Sequence, residues 1–181
     1  MCFAVATAPE LGQIVGSTTA NVLCFVGSWF FTSAAWIQLV RSGPEGSADW
    51  LAAATQFPGT VLFNVSTGAA VWAHRVDAER GLVWTPDAAG SVAFLVSGVI
   101  AVLALGSDAG RWAPKSRDWQ ATWINMVGCI AFGVSALGAF VIKTGAIASP
   151  SVANAGTFLG ALCFLAAALL VLPRSHREAS R

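Results

Sequence analysis

Five long stretches of this 181-residue chain contain no Lys, Arg, Asp, Glu or His. They run over residues 18–40, 50–72, 88–105, 120–142 and 152–172, and every charged residue lies between them or beyond them. A helix needs about 20 mostly apolar residues to cross a hydrocarbon core of about 30 Å, and each stretch approaches or exceeds that length. We therefore expect an all-α bundle of five antiparallel membrane-spanning helices, forming one domain over residues 1–181.

The overall composition excludes most other classes of protein. Only 10% of the residues are charged and 56% are hydrophobic, whereas a soluble domain has about 25% charged residues. The net charge of +1 offers no basic surface for nucleic acid. The lipid bilayer is therefore the first expected partner.

Positive charges between the stretches predict an orientation. Seven Lys/Arg fall on one side of the predicted bundle and three on the other, where they are Arg75, Arg80 and Lys143. Because positive residues favour the cytoplasm, we expect a cytoplasmic C-terminus and an outside N-terminus. Thr85-Pro86-Asp87 has the residues of a helix start, with Asp87 as a cap for the third helix.

The first residues, Met1-Cys2-Phe3-Ala4-Val5-Ala6, are apolar but too short for a signal peptide and lack a basic flank. They are typical of the end of a helix. We therefore expect a sixth, N-terminal helix in the native or family form, which would place both termini inside.

A short motif recurs once in each stretch: Gly, a small residue, two variable positions, Phe, two more positions, then Ser or Ala. The Gly and Phe of the five copies are Gly27 and Phe31, Gly59 and Phe63, Gly90 and Phe94, Gly128 and Phe132, and Gly160 and Phe164. Positions i, i+4 and i+7 share one helix face, and small residues let membrane helices approach closely. We expect these residues to be helix-packing residues; the alternative is that the small faces line a narrow ligand path.

The stretches VGS..FF.SAAW, AGSVAFLVSG and VGCIAFGVSALGAF resemble the YrhK-like proteins, a family of small bacterial integral membrane proteins. The resemblance also includes Pro86 to Ser91, and through the repeat it extends over most of the chain. It implies a multi-pass helical fold in a bacterial plasma (inner) membrane, and it implies no particular activity, substrate or cofactor.

Catalytic and metal chemistry find little support in the sequence. The four cysteines form no Cys-x-x-Cys pair, and the two histidines, His74 and His176, belong to opposite predicted faces. No stretch contains the His or Glu that a haem or di-iron site in a bundle would use. We expect no enzyme, no catalytic residue, no metal site and no cofactor.

The uncharged polar residues of the stretches are the remaining candidates. Gln56 and Asn64 lie two turns apart around Pro58, and Asn125 lies in the fourth stretch. Interhelical hydrogen bonds are their common use in membranes. If a small neutral ligand binds, we expect it at Gln56, Asn64 and Asn125.

Two functions follow as hypotheses. The first is a non-enzymatic structural or accessory subunit that packs against a membrane-protein partner or forms a homo-oligomer. The second is a carrier or channel for a small neutral or lipidic solute, which the three amides on one water-reachable cavity wall would favour.

Overall fold

The computed structural model describes residues 2–7, 16–73, 75–108 and 112–172, with the backbone alone at 106–108. Within these ranges the chain is helical apart from turns and one isolated antiparallel bridge, Val141 to Ile147. The expected all-α architecture is confirmed. The helices are α1 (Cys2–Ala6), α2 (Ser17–Arg41), α3 (Ala48–Ala70), α4 (Thr85–Asp108), α5 (Arg117–Gly138) and α6 (Pro150–Val171).

The helices pack in a ring. Each of α2 to α6 lies against the next in the chain, and the closest packing joins α3 to α4 and α5 to α6. The one-turn helix α1 contacts both α2 and α6 and thereby closes the ring. The side chains that point inward from all six helices form the centre of the bundle.

Within the described ranges, four helices are long and apolar enough to cross a membrane: Ser17–Arg41, Val76–Leu105, Arg117–Gly138 and Pro150–Val171. The helix α3, over the predicted stretch 50–72, is not among them. It contains Gln56, Pro58 and Asn64, which lower its mean hydropathy. It has nine buried residues, one more than α5. Its polar groups therefore lie against protein.

The third predicted helix starts earlier than the sequence indicates. A helical turn (Val76–Ala78) and a π-helical segment (Glu79–Trp84) run directly into α4, so Thr85-Pro86-Asp87 does not begin a helix and Asp87 caps none. Pro86 is tolerated because the π-helical turns before it rearrange the hydrogen bonds, and the Thr85 hydroxyl donates to the Arg80 carbonyl at 2.8 Å. The boundary at residue 88 was therefore wrong.

The fourth predicted helix, 120–142, ends at Gly138 instead. A Cβ on Gly138 would lie 2.8 Å from the Ala153 backbone nitrogen, so the two helices cross closely here. The chain then turns, with the Ser149 amide donating to the Gly138 carbonyl at 2.9 Å. This tight crossing ends α5 and starts α6 at Pro150.

Candidate functional site

The centre of the bundle is filled by phenylalanine rings from six helices. Phe63, Phe94 and Phe132 are 3%, 0% and 3% exposed, and three more rings pack against them. The six are Phe3, Phe31, Phe63, Phe94, Phe132 and Phe164. Ring centroids of neighbours lie 5.1 to 6.4 Å apart, which is the range of favourable aromatic pairs.

In the pair α3–α4, each helix inserts its phenylalanine into the glycine notch of the other. A Cβ built on Gly59 would lie 2.9 Å from Phe94 Cε1, and one built on Gly90 would lie 2.7 Å from Phe63 Cδ2. The Cβ built on Gly90 would also lie 2.9 Å from the Gly59 carbonyl oxygen. Neither glycine leaves room for a methyl group unless the opposite helix moves.

The pair α5–α6 has the same arrangement. A Cβ on Gly128 would lie 2.8 Å from Phe164 Cδ1, and one on Gly160 would lie 2.6 Å from Phe132 Cδ2. The Cβ built on Gly160 would also lie 3.2 Å from the Gly128 carbonyl oxygen. The two helix pairs are therefore held by reciprocal glycine–phenylalanine contacts.

The helix α2 departs from this arrangement. A Cβ on Gly27 would lie 2.8 Å from Cys2 Cβ and 3.4 Å from Phe3 Cδ2, so Cys2 of α1 approaches this glycine most closely and the Phe3 ring lies beside it in ordinary contact. The Phe31 ring contacts the rings of Phe3, Phe94 and Phe164. None of the described glycines has Phe31 among the nearest atoms to its Cβ position.

The small residue that ends each motif copy is buried in four of the five helices. The four are Ser66, Ser97, Ser135 and Ala167, at 5%, 2%, 5% and 7% exposed. Two of these hydroxyls donate to backbone carbonyls of the paired helix, Ser97 to Ala52 at 2.7 Å and Ser135 to Ala153 at 2.7 Å. The fifth residue, Ala34, is exposed.

The structure places Gln56 at the α3–α4 contact. The side chain is 7% exposed, and its Oε1 accepts a hydrogen bond from the Ser97 hydroxyl at 3.3 Å. Its role in this position is to link two helices of one pair.

Asn64 lies on another face of α3, beside the α2 contact. At 3.6 residues per turn, a side chain eight positions further along points about 80° away around the helix axis. The Asn64 side chain therefore does not point in the same direction as that of Gln56. Near it the Thr67 hydroxyl donates to Ser28 Oγ at 3.1 Å, and the Thr32 hydroxyl donates to the Thr60 carbonyl at 3.2 Å. The Asn64 Oδ1 is buried and has no hydrogen-bond partner.

Asn125 belongs to a third environment, on α5. Its Nδ2 donates to Cys129 Sγ one turn along the same helix, at 3.9 Å. The three amides predicted as a ligand site therefore lie at separate positions, and the Phe-filled centre lies between the helices that carry them.

Asp87 does not lie at a helix start, where its sequence context had placed it. It lies inside the continuous helix Val76–Leu105, partly buried, and its carboxyl group forms no hydrogen bond or ion pair with a described residue. A helix pattern that extended through Pro86 would have placed it correctly, but proline normally marks a helix start.

On the same face of this helix as Asp87, three donors reach carbonyl oxygens on or just beyond α5. Arg80 donates from Nε and Nη2 to the Val141 carbonyl at 3.1 and 2.7 Å. Trp84 Nε1 donates to Ala136 at 2.9 Å, and the Ser91 hydroxyl donates to Phe132 at 3.3 Å. These bonds fix α4 and its π-helical extension against α5 and the following loop.

Residues that could carry metal or thiol chemistry are dispersed. Among the described residues, no group of three or more His, Cys, Asp or Glu could hold a metal ion, and all four cysteines are free. The two histidines, His74 and His176, lie outside the described residues.

The outer surface is apolar. On α2, Trp29, Phe30 and Trp36 are 58%, 70% and 54% exposed. A shallow groove of about 220 Å³ follows this helix and is lined by Trp36, Ile37, Val40 and Arg41; none of the three amides lines it.

Comparison with known proteins gives no match: no protein-family model, no curated protein and no solved structure corresponds to this chain.

Proposed function

We propose that this protein is a non-enzymatic structural or accessory subunit of a bacterial plasma membrane, which acts by packing against other membrane helices. The observation that carries the proposal is the phenylalanine-filled centre, where rings occupy the space that a solute path would need. Within the described ranges, the interhelical hydrogen bonds mostly join a side chain to a backbone carbonyl. This is how membrane helices associate without a hydrophobic driving force between them.

We infer that α3 crosses the membrane as a fifth span. It packs between α2 and α4, both of which are apolar enough to cross, and its 23 residues match the thickness of a bilayer core. Its polar residues are compatible with this position because they face other helices. In that case all five spans carry the same motif of one glycine and one phenylalanine per helix.

The orientation proposed here follows the charges. Arg41, Lys115 and Arg117 lie at the end of the bundle that we assign to the cytoplasm, and Lys143 lies at the opposite end. The C-terminus is then cytoplasmic. The resemblance to YrhK-like proteins agrees with a multi-pass protein and adds no activity.

The exposed apolar side chains offer surface for lipid and for a partner. Large patches of this kind mark lipid or protein contacts. A membrane-protein partner or a second copy of the chain is the proposed interaction, and no nucleic acid or cofactor enters it.

A carrier or channel for a small neutral or lipidic solute is the second candidate. The unpartnered Oδ1 of Asn64 favours it, because a buried amide oxygen without a donor is costly and can be satisfied by a ligand. The separate positions of Gln56, Asn64 and Asn125 weigh against it.

The test combines gentle purification with transport. The protein is extracted from its native membrane into nanodiscs, its mass and composition are measured by native mass spectrometry, and it is then assayed in proteoliposomes for uptake of glycerol and other neutral solutes. The proposal predicts a homo-oligomer or a stoichiometric complex, with no uptake above that of empty vesicles. A lone monomer with saturable uptake that Asn64→Leu abolishes, and that exposed Val65→Leu preserves, would establish the carrier instead.

A further inference from the structure

The groove on the outer face of α2 runs between two rows of side chains. Trp36 and Val40 belong to one row and Ile37 and Arg41 to the other, since residues four positions apart form the ridges of a helix surface. All four residues are exposed. Because Arg41 is the last residue of α2, the groove is apolar over most of its length and has a cation at one end.

The guanidinium group of Arg41 is available to an anion. It forms no hydrogen bond or ion pair with a described residue. Glu45, the nearest acid along the chain, is exposed in the loop after α2 and does not pair with it. Arg80 and Arg117, by contrast, both donate to backbone carbonyl oxygens. Within the described part of the chain, the cation at the end of this groove therefore has no counter-charge.

Trp36 is held in place by the neighbouring helix. Its ring contacts the Phe57 ring of α3, with the centroids 5.4 Å apart, so the packing of α2 on α3 fixes one wall of the groove. Its indole N–H forms no hydrogen bond with a described residue. Trp36 lies five residues before Arg41, which is about 7.5 Å along the helix axis. A residue with a neutral donor therefore lies further from the helix end than the cation.

A glycerophospholipid carries complementary groups in the same order. Its phosphate is outermost, its ester carbonyls lie below, and its acyl chains are deepest. A guanidinium group forms strong charge-assisted hydrogen bonds with phosphate, and tryptophan favours the level of the headgroups. An acyl chain suits the branched apolar side chains of Ile37 and Val40. A second membrane helix suits the groove less well, because it would have to supply an acid beside Arg41.

We propose that the groove on α2 binds one phospholipid with an anionic headgroup, whose phosphate lies at Arg41 and whose acyl chain lies along Ile37 and Val40. The unpaired charge of Arg41 favours a lipid of net negative charge, and such lipids give the cytoplasmic leaflet its negative surface potential. The site agrees with the proposed orientation, in which Arg41 is cytoplasmic. It requires no protein partner and therefore extends beyond the packing role.

The test is a lipid titration of the full chain. The protein is purified in detergent, stripped of co-purified lipid and titrated with phosphatidylglycerol or phosphatidylcholine, while native mass spectrometry counts the lipids bound per chain. The first phosphatidylglycerol should bind about fivefold more tightly than phosphatidylcholine, and Arg41→Gln should remove this preference. The matched control is Lys115→Gln, an exposed cation outside the groove, which should leave the preference intact. Equal affinities for the two lipids, or equal losses in the two variants, would overturn the proposal.

A second pair of variants tests the apolar part of the groove. Val40→Phe fills it and should weaken phosphatidylglycerol binding by about fourfold for each methylene that the ring displaces. Val26→Phe, at an exposed valine of α2 outside the groove, should leave the affinity unchanged. Glycerol phosphate, which has no acyl chain, should not compete with the lipid. Full affinity in Val40→Phe, or displacement by glycerol phosphate, would show an anion site without an acyl chain and would refute the proposal.

The same spectra report the oligomeric state, so the lipid site and the packing role are tested separately. A homo-oligomer without headgroup preference would refute the lipid site and leave the packing role intact. A lone monomer that prefers phosphatidylglycerol, and loses the preference in Arg41→Gln, would support the lipid site alone. Loss of an oligomer in Val40→Phe at unchanged lipid affinity would assign the groove to a second copy of the chain and refute the lipid site.

Discussion

The Phe63 ring lies in the space that a side chain on Gly90 would need, and the contact is reciprocated by Phe94 at Gly59. The distances from the Cβ positions, 2.7 Å at Gly90 and 2.9 Å at Gly59, leave no room for a methyl group. The contact couples a backbone position on one helix to an aromatic ring on its neighbour. It recurs in α5–α6, so a single rule of packing explains two helix pairs.

We expect Gly90→Ala to destabilise the protein by about 1–3 kcal/mol, the usual cost of overpacking a filled core. The matched control is Gly81→Ala, where nothing lies within 4 Å of the Cβ position. Unfolding by a graded denaturing detergent in mixed micelles measures both variants. A Gly90→Ala variant as stable to unfolding as the Gly81→Ala control would mean that α3 and α4 are further apart than they are in the structure.

Phe94 is the largest fully buried side chain, at 0% exposed, and its ring contacts four others. Phe94→Ala should therefore cost about 3–5 kcal/mol, the range observed for buried aromatic truncations. Phe30→Ala is the control because that ring is 70% exposed. Similar losses in the free energy of unfolding for both variants would argue against the placement of the Phe94 ring in the packed core of the bundle.

Arg80 holds the loop after α5 through its two hydrogen bonds to the Val141 carbonyl. Arg80→Gln should loosen this loop without unfolding the bundle, because the guanidinium lies at the edge of the helix ring. Hydrogen exchange should accelerate at Ala148 and Ile142, whose amides bond within the loop. Arg75 is exposed, so Arg75→Gln should leave these exchange rates unchanged. Unaltered exchange rates in Arg80→Gln would show that the loop is stable without the Arg80 hydrogen bonds.

The proposed crossing of the membrane by α3 makes a definite prediction for topology. Single cysteines at the exposed positions Glu45, Arg75 and Lys143, in a background without the native cysteines, are labelled with a membrane-impermeant maleimide in intact cells and in inverted vesicles. Arg75→Cys and Lys143→Cys should label from outside, and Glu45→Cys from inside. Labelling of Arg75→Cys and Glu45→Cys from the same side would show that α3 does not cross.

Some of this structure follows from the sequence and some does not. Charge-free stretches predict the helices because a bilayer excludes ionised groups, and α2 begins and ends within one residue of its prediction. Helix ends set by packing were missed, as at Gly138, where a close crossing ends α5. Asp87 was misplaced because a proline next to it normally begins a helix.

The relative rotation and height of the helices could not be derived from local patterns. Gln56, Asn64 and Asn125 were predicted as one candidate ligand site. In the structure Gln56 bonds to Ser97 of α4 and Asn125 bonds to Cys129 of its own helix, because tertiary packing decides which neighbour a helix face meets. The place of Phe3 in the central cluster was not predicted, because the motif is identified by a glycine and a phenylalanine together.

The most direct test of the central claim is the free-energy coupling between Gly90 and Phe63. A double-mutant cycle with Gly90→Ala and Phe63→Ala, measured by unfolding in bicelles, isolates the steric contact between the methyl group and the ring. We predict that Gly90→Ala costs at least about 1 kcal/mol less in the Phe63→Ala background, whereas Phe164→Ala, which lies off this contact, leaves its cost unchanged. Costs that agree within about 0.3–0.5 kcal/mol in the wild-type and Phe63→Ala backgrounds would contradict a bundle held together by phenylalanines seated in glycine notches.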